Sequence, residues 1–331
     1  MDKMDLKLLY ELEQDARQTL SQIAKKLKTS QQVVSYRVQQ LQKEGIVNEF
    51  YTIIDFAKLG YSSYRTMFRL GNITDENYSK LIEYFQNHSN VLWLVECGGK
   101  WDLIVNILSK NPPQYNKFLS EMLNKFKDVI QDYDLLLTIE GIYLGKDYLG
   151  KREIKQRPFF GKEISIEKLD NLDLNILNII AENARLNSVE ISKKLDVTNN
   201  TVIARIKQLR KRNIINGFEP LIHLEKIDYQ GYKALIKLHP ISEEKEKTMI
   251  NLLSSNNNIV GILRMIGQWN FEVEFDVKTR EEMLKLTREI RTKFKDFIKE
   301  FEVIPLFHEY KYNFFPGDLL ISTVTETLKR S

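Results

Sequence analysis

The fold is decided by the stretch DARQTLSQIAKKLKTSQQVVSYRVQQLQKEGIV at residues 15–47, which recurs as NARLNSVEISKKLDVTNNTVIARIKQLRKRNII at residues 183–215. Sliding the chain by 168 positions aligns the two stretches, and identities continue as far as Trp101 with Trp269 and beyond. A self-match of this density and length indicates a tandem duplication, in which one structural unit is built twice along the chain.

The constant shift between the two copies is interrupted at one point of the sequence. Gly60 and Tyr61 find the same dipeptide at Gly231 and Tyr232 with a shift of 171 positions instead of 168. We therefore predict a short insertion in the second copy.

The two copies are joined by a stretch that has no clear hydrophobic period. Residues 149–169 contain a proline, glycines and mixed charges, which indicates an interdomain linker. Its basic cluster is either a solvated run of charge or a contact to phosphate, and consists of Lys151, Arg152, Lys155 and Arg157.

Each copy begins with the spacing of three amphipathic helices. In the first copy the first apolar stripe is Leu6, Leu9, Leu12 and Ala16. Thr19 or Ser21 can cap a second, short helix, and Lys28-Thr29 makes a tight turn. Ser30 can cap a third helix, with Thr198 as its counterpart in the second copy. The buried stripes of these third helices are predicted to be Val34, Val38 and Leu41, and Val202, Ile206 and Leu209.

The third helix of each copy presents polar side chains on its outer face. A short helix, a turn and a longer helix with outward hydrogen-bond donors is the layout that enters a DNA major groove. Asn and Gln can recognise adenine edges, whereas Lys and Arg neutralise phosphate or recognise guanine. The candidate DNA-binding residues are Ser30, Gln31, Gln32, Ser35, Tyr36, Arg37, Gln39, Thr198, Asn199, Asn200, Thr201, Arg205, Lys207 and Arg210. The alternative is a three-helix packing module with a charged surface.

A strand and helix pattern in the order βαββαβ follows each three-helix unit. This order is typical of a ferredoxin-like fold, an antiparallel sheet with both helices on one face. In the first copy we predict strands at 62–70, 91–97, 101–109 and 130–144 and helices at 75–88 and 112–126. In the second copy we predict strands at 232–239, 258–266, 269–277 and 297–311 and helices at 242–255 and 279–294. The open sheet face should carry Met67, Leu103, Val105 and Leu136, and packing the two sheets face to face would cover it.

The predicted fold class is therefore α+β, with two copies of a winged, three-helix helix-turn-helix domain followed by a ferredoxin-like sensing domain. The predicted domains are residues 1–52, 58–148, a linker at 149–169, residues 170–220, residues 226–315 and a tail at 316–331.

Composition restricts the cellular setting. The 331 residues are 43% hydrophobic and 28% charged, with a net charge of +4, which is ordinary for a soluble globular protein and permits a nucleic-acid partner. Cys97 is the single cysteine, so no intramolecular disulfide can form, and a reducing cytoplasm is expected. No run is long and apolar enough to predict a membrane span. There is no glycine-rich phosphate loop, CxxC pair or metal-ligand spacing, so no cofactor and no metal are expected.

At this point the residues resemble the Lrp/AsnC family of feast/famine regulators from bacteria and archaea. The resemblance rests on the motifs at Asp15-Ala16-Arg17, Ser30 through Arg37 and Gly45-Ile46-Val47, and more weakly on Gly99-Lys100-Trp101-Asp102. It covers residues 4–145 and 172–312. The resemblance implies a DNA-binding transcription regulator that dimerises through its sensing domains and responds to an amino acid or related metabolite. It places the effector near this last turn, with the residues Gly98, Gly99, Trp101, Asp102, Gly267, Trp269 and Asn270. The alternative is a packing interpretation, in which Gly99 and Gly267 form a tight strand connection that Asp102 caps and the two tryptophans pack in the sheet.

The duplication sharpens these expectations. One chain should act as a pseudo-dimer on an imperfect palindrome of double-stranded DNA, because the two outer faces differ. Asn270 stands where the first copy has Asp102, so an amino-acid ammonium should bind chiefly at the first copy. Further homo-oligomerisation through the sensing domains is also expected.

Two other classes of function are kept as alternatives. One is an architectural DNA-binding protein of low specificity. The other is an enzyme, because siroheme decarboxylases share this fold, although the four histidines lie in no motif that we can match: His88, His223, His239 and His308. We expect no enzymatic activity.

Overall fold

The computed structural model describes residues 1–150, 159–161 and 163–319. The basic cluster Lys151 to Arg157 and the tail beyond Leu319 lie outside the described residues. The predicted α+β class is confirmed, since each copy consists of three helices and a strand followed by a βαββαβ unit.

The elements follow the same order twice. The first copy comprises α1 (Lys3–Gln14), α2 (Leu20–Leu27), α3 (Gln31–Lys43), β1 (Val47–Ile54), β2 (Ser62–Leu70), α4 (Asp75–Asn87), β3 (Val91–Cys97), β4 (Leu103–Ser109), α5 (Pro112–Lys125) and β5 (Ile130–Tyr143). A short strand, β6 (Phe159–Gly161), stands between the copies. The second copy comprises α6 (Asn171–Glu182), α7 (Ser188–Leu195), α8 (Asn199–Lys211), β7 (Ile215–Ile222), β8 (Gln230–Leu238), α9 (Glu243–Ser254), β9 (Ile259–Ile266), β10 (Phe271–Val277), α10 (Arg280–Lys293) and β11 (Ile298–Tyr312).

The duplication keeps one register, so the predicted insertion is wrong. The 3-10 turns Phe56–Leu59 and Leu224–Ile227 correspond at a shift of 168. Each is followed by a left-handed residue, Gly60 in the first copy and Asp228 in the second. The dipeptide at 231–232 is therefore a coincidence of sequence, because an aspartate takes over the left-handed position that glycine fills in the first copy.

The two sensing domains form one closed β-barrel. Strands pair in the order β2-β4-β3-β11-β8-β10-β9-β5, and β5 pairs back with β2. The two ferredoxin-like sheets therefore face one another and are also joined along both edges, at β3–β11 and β5–β9. The eight barrel strands have no free edge, and β6 pairs with β5 as a ninth strand outside this closed ring.

The inner face of the barrel differs in part from the prediction. Met67 and Leu136 belong to the core shared by both copies, as predicted. Leu103 and Val105 instead pack with the helices of the first copy, and Ile104 takes the inner position. The face assignment of β4 was off by one residue, and a slip of one residue turns every side chain of a strand to the opposite face.

Candidate nucleic-acid interface and the buried charges beneath it

The third helices begin at the predicted caps. Ser30 Oγ accepts a hydrogen bond from the Val33 amide at 3.2 Å, and Thr198 Oγ1 accepts one from the Thr201 amide at 3.2 Å. These bonds satisfy amides that a helix N-terminus leaves free. The predicted stripes are confirmed as the buried faces of α3 and α8. Thr19, not Ser21, caps α2.

On α3 most of the predicted contact residues face outward. Gln31, Gln32, Tyr36 and Gln39 are exposed, with 61% of Tyr36 accessible, and Ser35 is half-buried. Val33 was not among the predicted contact residues, but it is exposed in the same patch. An apolar group there could contact a thymine methyl group.

The outer face of α8 is more basic than that of α3. Asn200 and Lys207 are exposed, while Asn199 and Thr201 are half-buried. Ile203 is exposed between them and was not predicted. Within the described part of the chain, Lys207 forms no ion pair and is therefore available for phosphate.

Two of the three arginines predicted on these faces are held by their own units. Arg37 Nη1 lies 2.8 Å from Asp2 and 2.6 Å from Asp5, the capping residues of α1. Arg205 repeats the arrangement, 2.6 Å from Asp170 and 3.1 Å from a second aspartate at the start of α6. These ion pairs tie each third helix to the first helix of its unit, which gives both arginines a structural role that sequence analysis did not assign.

Strand pairing holds the two helix-turn-helix units together. β1 and β7 form a two-stranded antiparallel sheet, with Thr52 opposite Phe218. Arg17 Nη1 donates to the Leu186 carbonyl at 2.9 Å, and Arg185 Nη1 donates to the Ala16 carbonyl at 2.7 Å. The arginine of the repeated Ala-Arg motif therefore reaches across the pseudo-dyad.

Arg210 also spans the two units. Its guanidinium lies 3.2 Å from Asp15 and stacks over the Phe218 ring at 5.3 Å. Because the side chain is half exposed, this ion pair contributes little to stability.

The predicted effector turns are built alike in the two copies. Asp102 Oδ2 accepts a hydrogen bond from the Leu70 amide at 2.7 Å, and Asn270 Oδ1 accepts one from the Leu238 amide at 2.8 Å. One oxygen is enough for this bond, so aspartate and asparagine perform the same structural task.

The remaining residues of these turns are glycines, of which Gly98 is half-buried while Gly99 and Gly267 are exposed, and two buried tryptophans. Gly99 is exposed and left-handed at φ 93°, with open space where a side chain would stand. Gly98 packs against Phe307, and Gly267 packs against the Leu136 side chain. Trp101 and Trp269 lie in the shared core. The tryptophans are thus core residues, as the packing interpretation expected.

A buried network of charges lies inside the barrel, and sequence analysis missed it. Arg65 Nη1 lies 2.6 Å from both carboxylate oxygens of Glu272. Lys233 Nζ lies 2.6 Å from the same carboxylate and 2.5 Å from Glu274. Both cations stack on Trp93, at 4.9 Å and 4.6 Å. Each of these residues occupies an inward position of its strand, so the only available signal was a charge on the predicted core face.

Further carboxyl groups extend the network towards the helix-turn-helix pair. Lys146 Nζ lies 4.0 Å from Glu13 and 3.8 Å from Asp276. Burial raises the pKa of Glu13 to about 7 and that of Asp276 to about 6, and Lys146 opposes both shifts. Burial, with Glu13 nearby, raises the pKa of Glu219 well above its ordinary value. These groups meet where α1 and β7 rest on the barrel.

Among the described residues, no group of three or more His, Cys, Asp and Glu side chains is placed to hold a metal ion. In that same part of the chain, no helix combines the length and the apolar character needed to cross a membrane. Cys97 is buried, its Sγ donates to the Trp101 carbonyl at 3.3 Å, and burial raises its thiol pKa to about 12.

Comparison with known proteins identifies the same DNA-binding domain in both copies. The model of the winged helix-turn-helix DNA-binding family matches residues 1–48 and 169–216. The HTH-type transcriptional regulator Ptr1 of Methanocaldococcus jannaschii is 31% identical over 102 residues, which are 31% of this chain and 68% of that protein. The HTH-type transcriptional regulator FL11 of Pyrococcus horikoshii is 28% identical over 119 residues, which are 36% of this chain and 78% of that protein. Both relatives correspond to one copy.

A solved structure matches the whole two-copy arrangement. The siroheme decarboxylase NirDL aligns over 99% of both chains, with a TM-score of 0.61 and 12% sequence identity. At that identity the likeness establishes a shared fold alone.

Proposed function

Since this chain belongs to the Lrp/AsnC family of HTH-type transcriptional regulators and contains the family unit twice, we propose that it is a sequence-specific DNA-binding regulator. In this proposal one chain acts as a pseudo-dimer. The observation that carries the proposal is the pairing of β1 with β7, which joins two capped recognition helices into one body. Covalent linkage replaces a bimolecular association, so the pair should persist on dilution.

The outer faces of α3 and α8 are the proposed reading surfaces. Base contacts are assigned to Gln31, Gln32 and Ser35 on α3 and to Asn199, Asn200 and Thr201 on α8. The helix caps and the remaining side chains would contact the backbone: Ser30, Tyr36, Gln39, Thr198, Lys207 and Arg210. Arg37 and Arg205 would position the helices through their aspartate pairs.

The two reading surfaces differ in chemistry, so we expect an imperfect palindrome. The first half-site would be recognised by glutamines, and the second by asparagines beside a basic helix end. Recognition helices of a paired helix-turn-helix protein contact half-sites about 34–36 Å apart, which is one turn of DNA.

Modulation by a small molecule and further association of chains are part of the proposal. An amino acid is predicted to bind at the turn of the first copy, where Asp102 supplies a carboxylate that Asn270 cannot. Association through the sensing domains is supported by Ile266, 58% exposed, and Leu135, both of which lie on the outer surface near the β5–β9 seam.

Competition binding separates sequence-specific regulation from architectural DNA binding. At fixed salt, a regulator should prefer its selected operator over random duplex by a factor of roughly 10³ or more. Equal affinity for all duplexes would favour the architectural alternative.

Tetrapyrrole decarboxylation is the second candidate function, because the full-length fold is shared with NirDL. A related structure of that enzyme holds an iron-uroporphyrin III analogue, which is a polycarboxylate. Titration of the purified chain with iron uroporphyrin, followed by visible absorbance, distinguishes the two functions, since binding and decarboxylation would favour the enzyme.

A further inference from the structure

A cavity of about 350 Å³ lies where the helix-turn-helix pair rests on the barrel. Its wall combines β1, the end of β7 with the loop that follows, β8, β10, β11 and the segment after β5. A cavity of this size fits a small organic molecule. Because the wall includes both DNA-binding units and the sensing barrel, an occupant would contact all of them.

The wall provides carboxylates and aromatic rings. Glu274 keeps 28% of its side chain accessible although Lys233 binds one of its oxygens. Glu309 accepts a hydrogen bond from Trp93 Nε1 at 2.6 Å through Oε1. Tyr51 and Tyr312 stand with ring centroids 4.5 Å apart. Carboxylates beside aromatic faces are the surroundings that favour a desolvated organic cation.

Carboxyl groups outnumber basic groups around the cavity. Lys146, in the wall, already faces Glu13 and Asp276 behind it. The carboxyl groups in this region are Glu13, Glu219, Glu272, Glu274, Asp276 and Glu309, and the basic groups are Arg65, Lys146 and Lys233. Burial raises the pKa of Glu13, Glu219, Asp276 and Glu309, which favours their neutral form, whereas pairing with Lys233 keeps the pKa of Glu274 below its usual value in spite of its burial. A ligand cation would meet an ionised carboxylate at Glu274 and would favour ionisation of Glu309, whereas an anion would be repelled by Glu274.

The corresponding space in the first copy is filled by aromatic rings. The shift of 168 positions maps Glu309 onto Gly141 and Lys146 onto Phe314. The Phe160 ring of β6 packs directly on Gly141, where any side chain would collide with it. That ring also contacts Phe56 and Phe314, each at a centroid distance of 5.4 Å. Only the second copy therefore keeps this space open.

We propose that this junction cavity binds one small organic ammonium ion per chain, held by Glu274 and Glu309 within an aromatic wall. Resting on the proposed function, the ligand acts as an effector, because Tyr51 and Leu221 in the wall belong to the strand pair that joins the two recognition units. This site is separate from the turns at Asp102 and Asn270, which do not line the cavity.

Calorimetric titration of the full chain tests the site without DNA. The probes are n-butylammonium, 1,4-diaminobutane as its dication, and butyrate as an anion of matched size. We expect at least one amine to bind with one site per chain and butyrate not to bind. Saturation by butyrate instead, or no heat with either amine, would overturn the proposal.

Glu309→Gln removes the charge but keeps an acceptor for Trp93, and it should weaken amine binding by about tenfold, since a charged acceptor is replaced by a neutral one. Glu300→Gln is the matched control, because Glu300 is exposed on the same strand. It should bind the amine like the wild type. Leu306→Trp fills the cavity and provides a second test if Glu309→Gln fails to fold. Wild-type affinity in either folded cavity variant would contradict the site.

A separate measurement tests the effector role. Saturating amine should change the affinity of the chain for its selected operator by about fivefold or more, the lower end of typical allosteric coupling. Amine binding with unchanged operator affinity would remove the effector role while keeping the site. Absence of operator binding would contradict the proposed function and leave the calorimetric result standing.

Discussion

Arg65 and Glu272 form a bifurcated ion pair across the inside of the barrel, with Nη1 of the arginine 2.6 Å from both carboxylate oxygens. The arginine belongs to the first sensing domain and the glutamate to the second, 207 positions further along the chain. A buried pair of this kind fixes how the two halves meet, because neither charge can be left in the core alone.

Glu272→Ala should destabilise the protein by about 3–5 kcal/mol, because it leaves both Arg65 and Lys233 without their shared carboxylate. The measurement is chemical denaturation of the variant and the wild type. Glu76→Ala, which breaks an exposed ion pair on α4, is the control and should cost less than about 1 kcal/mol. Similar losses in the two variants would show that the pair does not hold the halves together.

Lys207→Ala should reduce the salt dependence of DNA binding, by about one unit in the slope of log affinity against log salt if the side chain meets one phosphate. Arg205→Ala should lower stability slightly, because its charge is engaged by Asp170 and Asp173. Titrations at several salt concentrations, with a melting curve for each variant, compare the two. An unchanged slope for Lys207→Ala would exclude it from the interface.

Gln32→Ala should change base preference in one half-site, and Asn200→Ala in the other. Each lost base contact is expected to cost about 1–3 kcal/mol on the preferred sequence. Binding to a panel of single-base operator variants measures the effect, and Lys80→Ala, at an exposed side chain of α4, is the control. A uniform loss on every sequence would mean that these side chains contact the backbone only.

The pKa of Glu13 gives stability a defined dependence on pH. Folding raises this pKa from its ordinary value near 4.5 to about 7, so between those values the folded state binds the proton and the unfolded state does not. The stabilisation is complete below pH 4.5 and is lost as pH rises towards 7. Relative to the wild type, Glu13→Gln should therefore gain stability over that interval. Denaturation curves at pH 4.5, 6 and 7 measure the difference, and a constant difference would contradict the assignment.

The local features of the fold could be predicted from sequence, whereas long-range pairings could not. The caps at Ser30 and Thr198 are short-range hydrogen bonds with a sequence signature, and the helix stripes follow the helical period. β1 and β7 were missed, because six of the eight residues of β1 are buried and its pattern does not alternate. Their partner is another copy of the same element, which no local window contains.

The candidate site was predictable in outline only. The exposed faces of α3 and α8 follow from their buried stripes, but the aspartates that hold Arg37 and Arg205 are 32 to 35 positions away. The junction cavity depends on Phe160 filling one copy and not the other, and that asymmetry arises in the segment between the repeats.

Selection of bound sequences from a random DNA pool by the full chain tests the central claim most directly. The account predicts an enriched site with two related but unequal half-sites, about one helical turn apart, each affected by substitutions in a different recognition helix. Failure to enrich any sequence, or enrichment of a perfectly symmetric site, would contradict a sequence-specific pseudo-dimer.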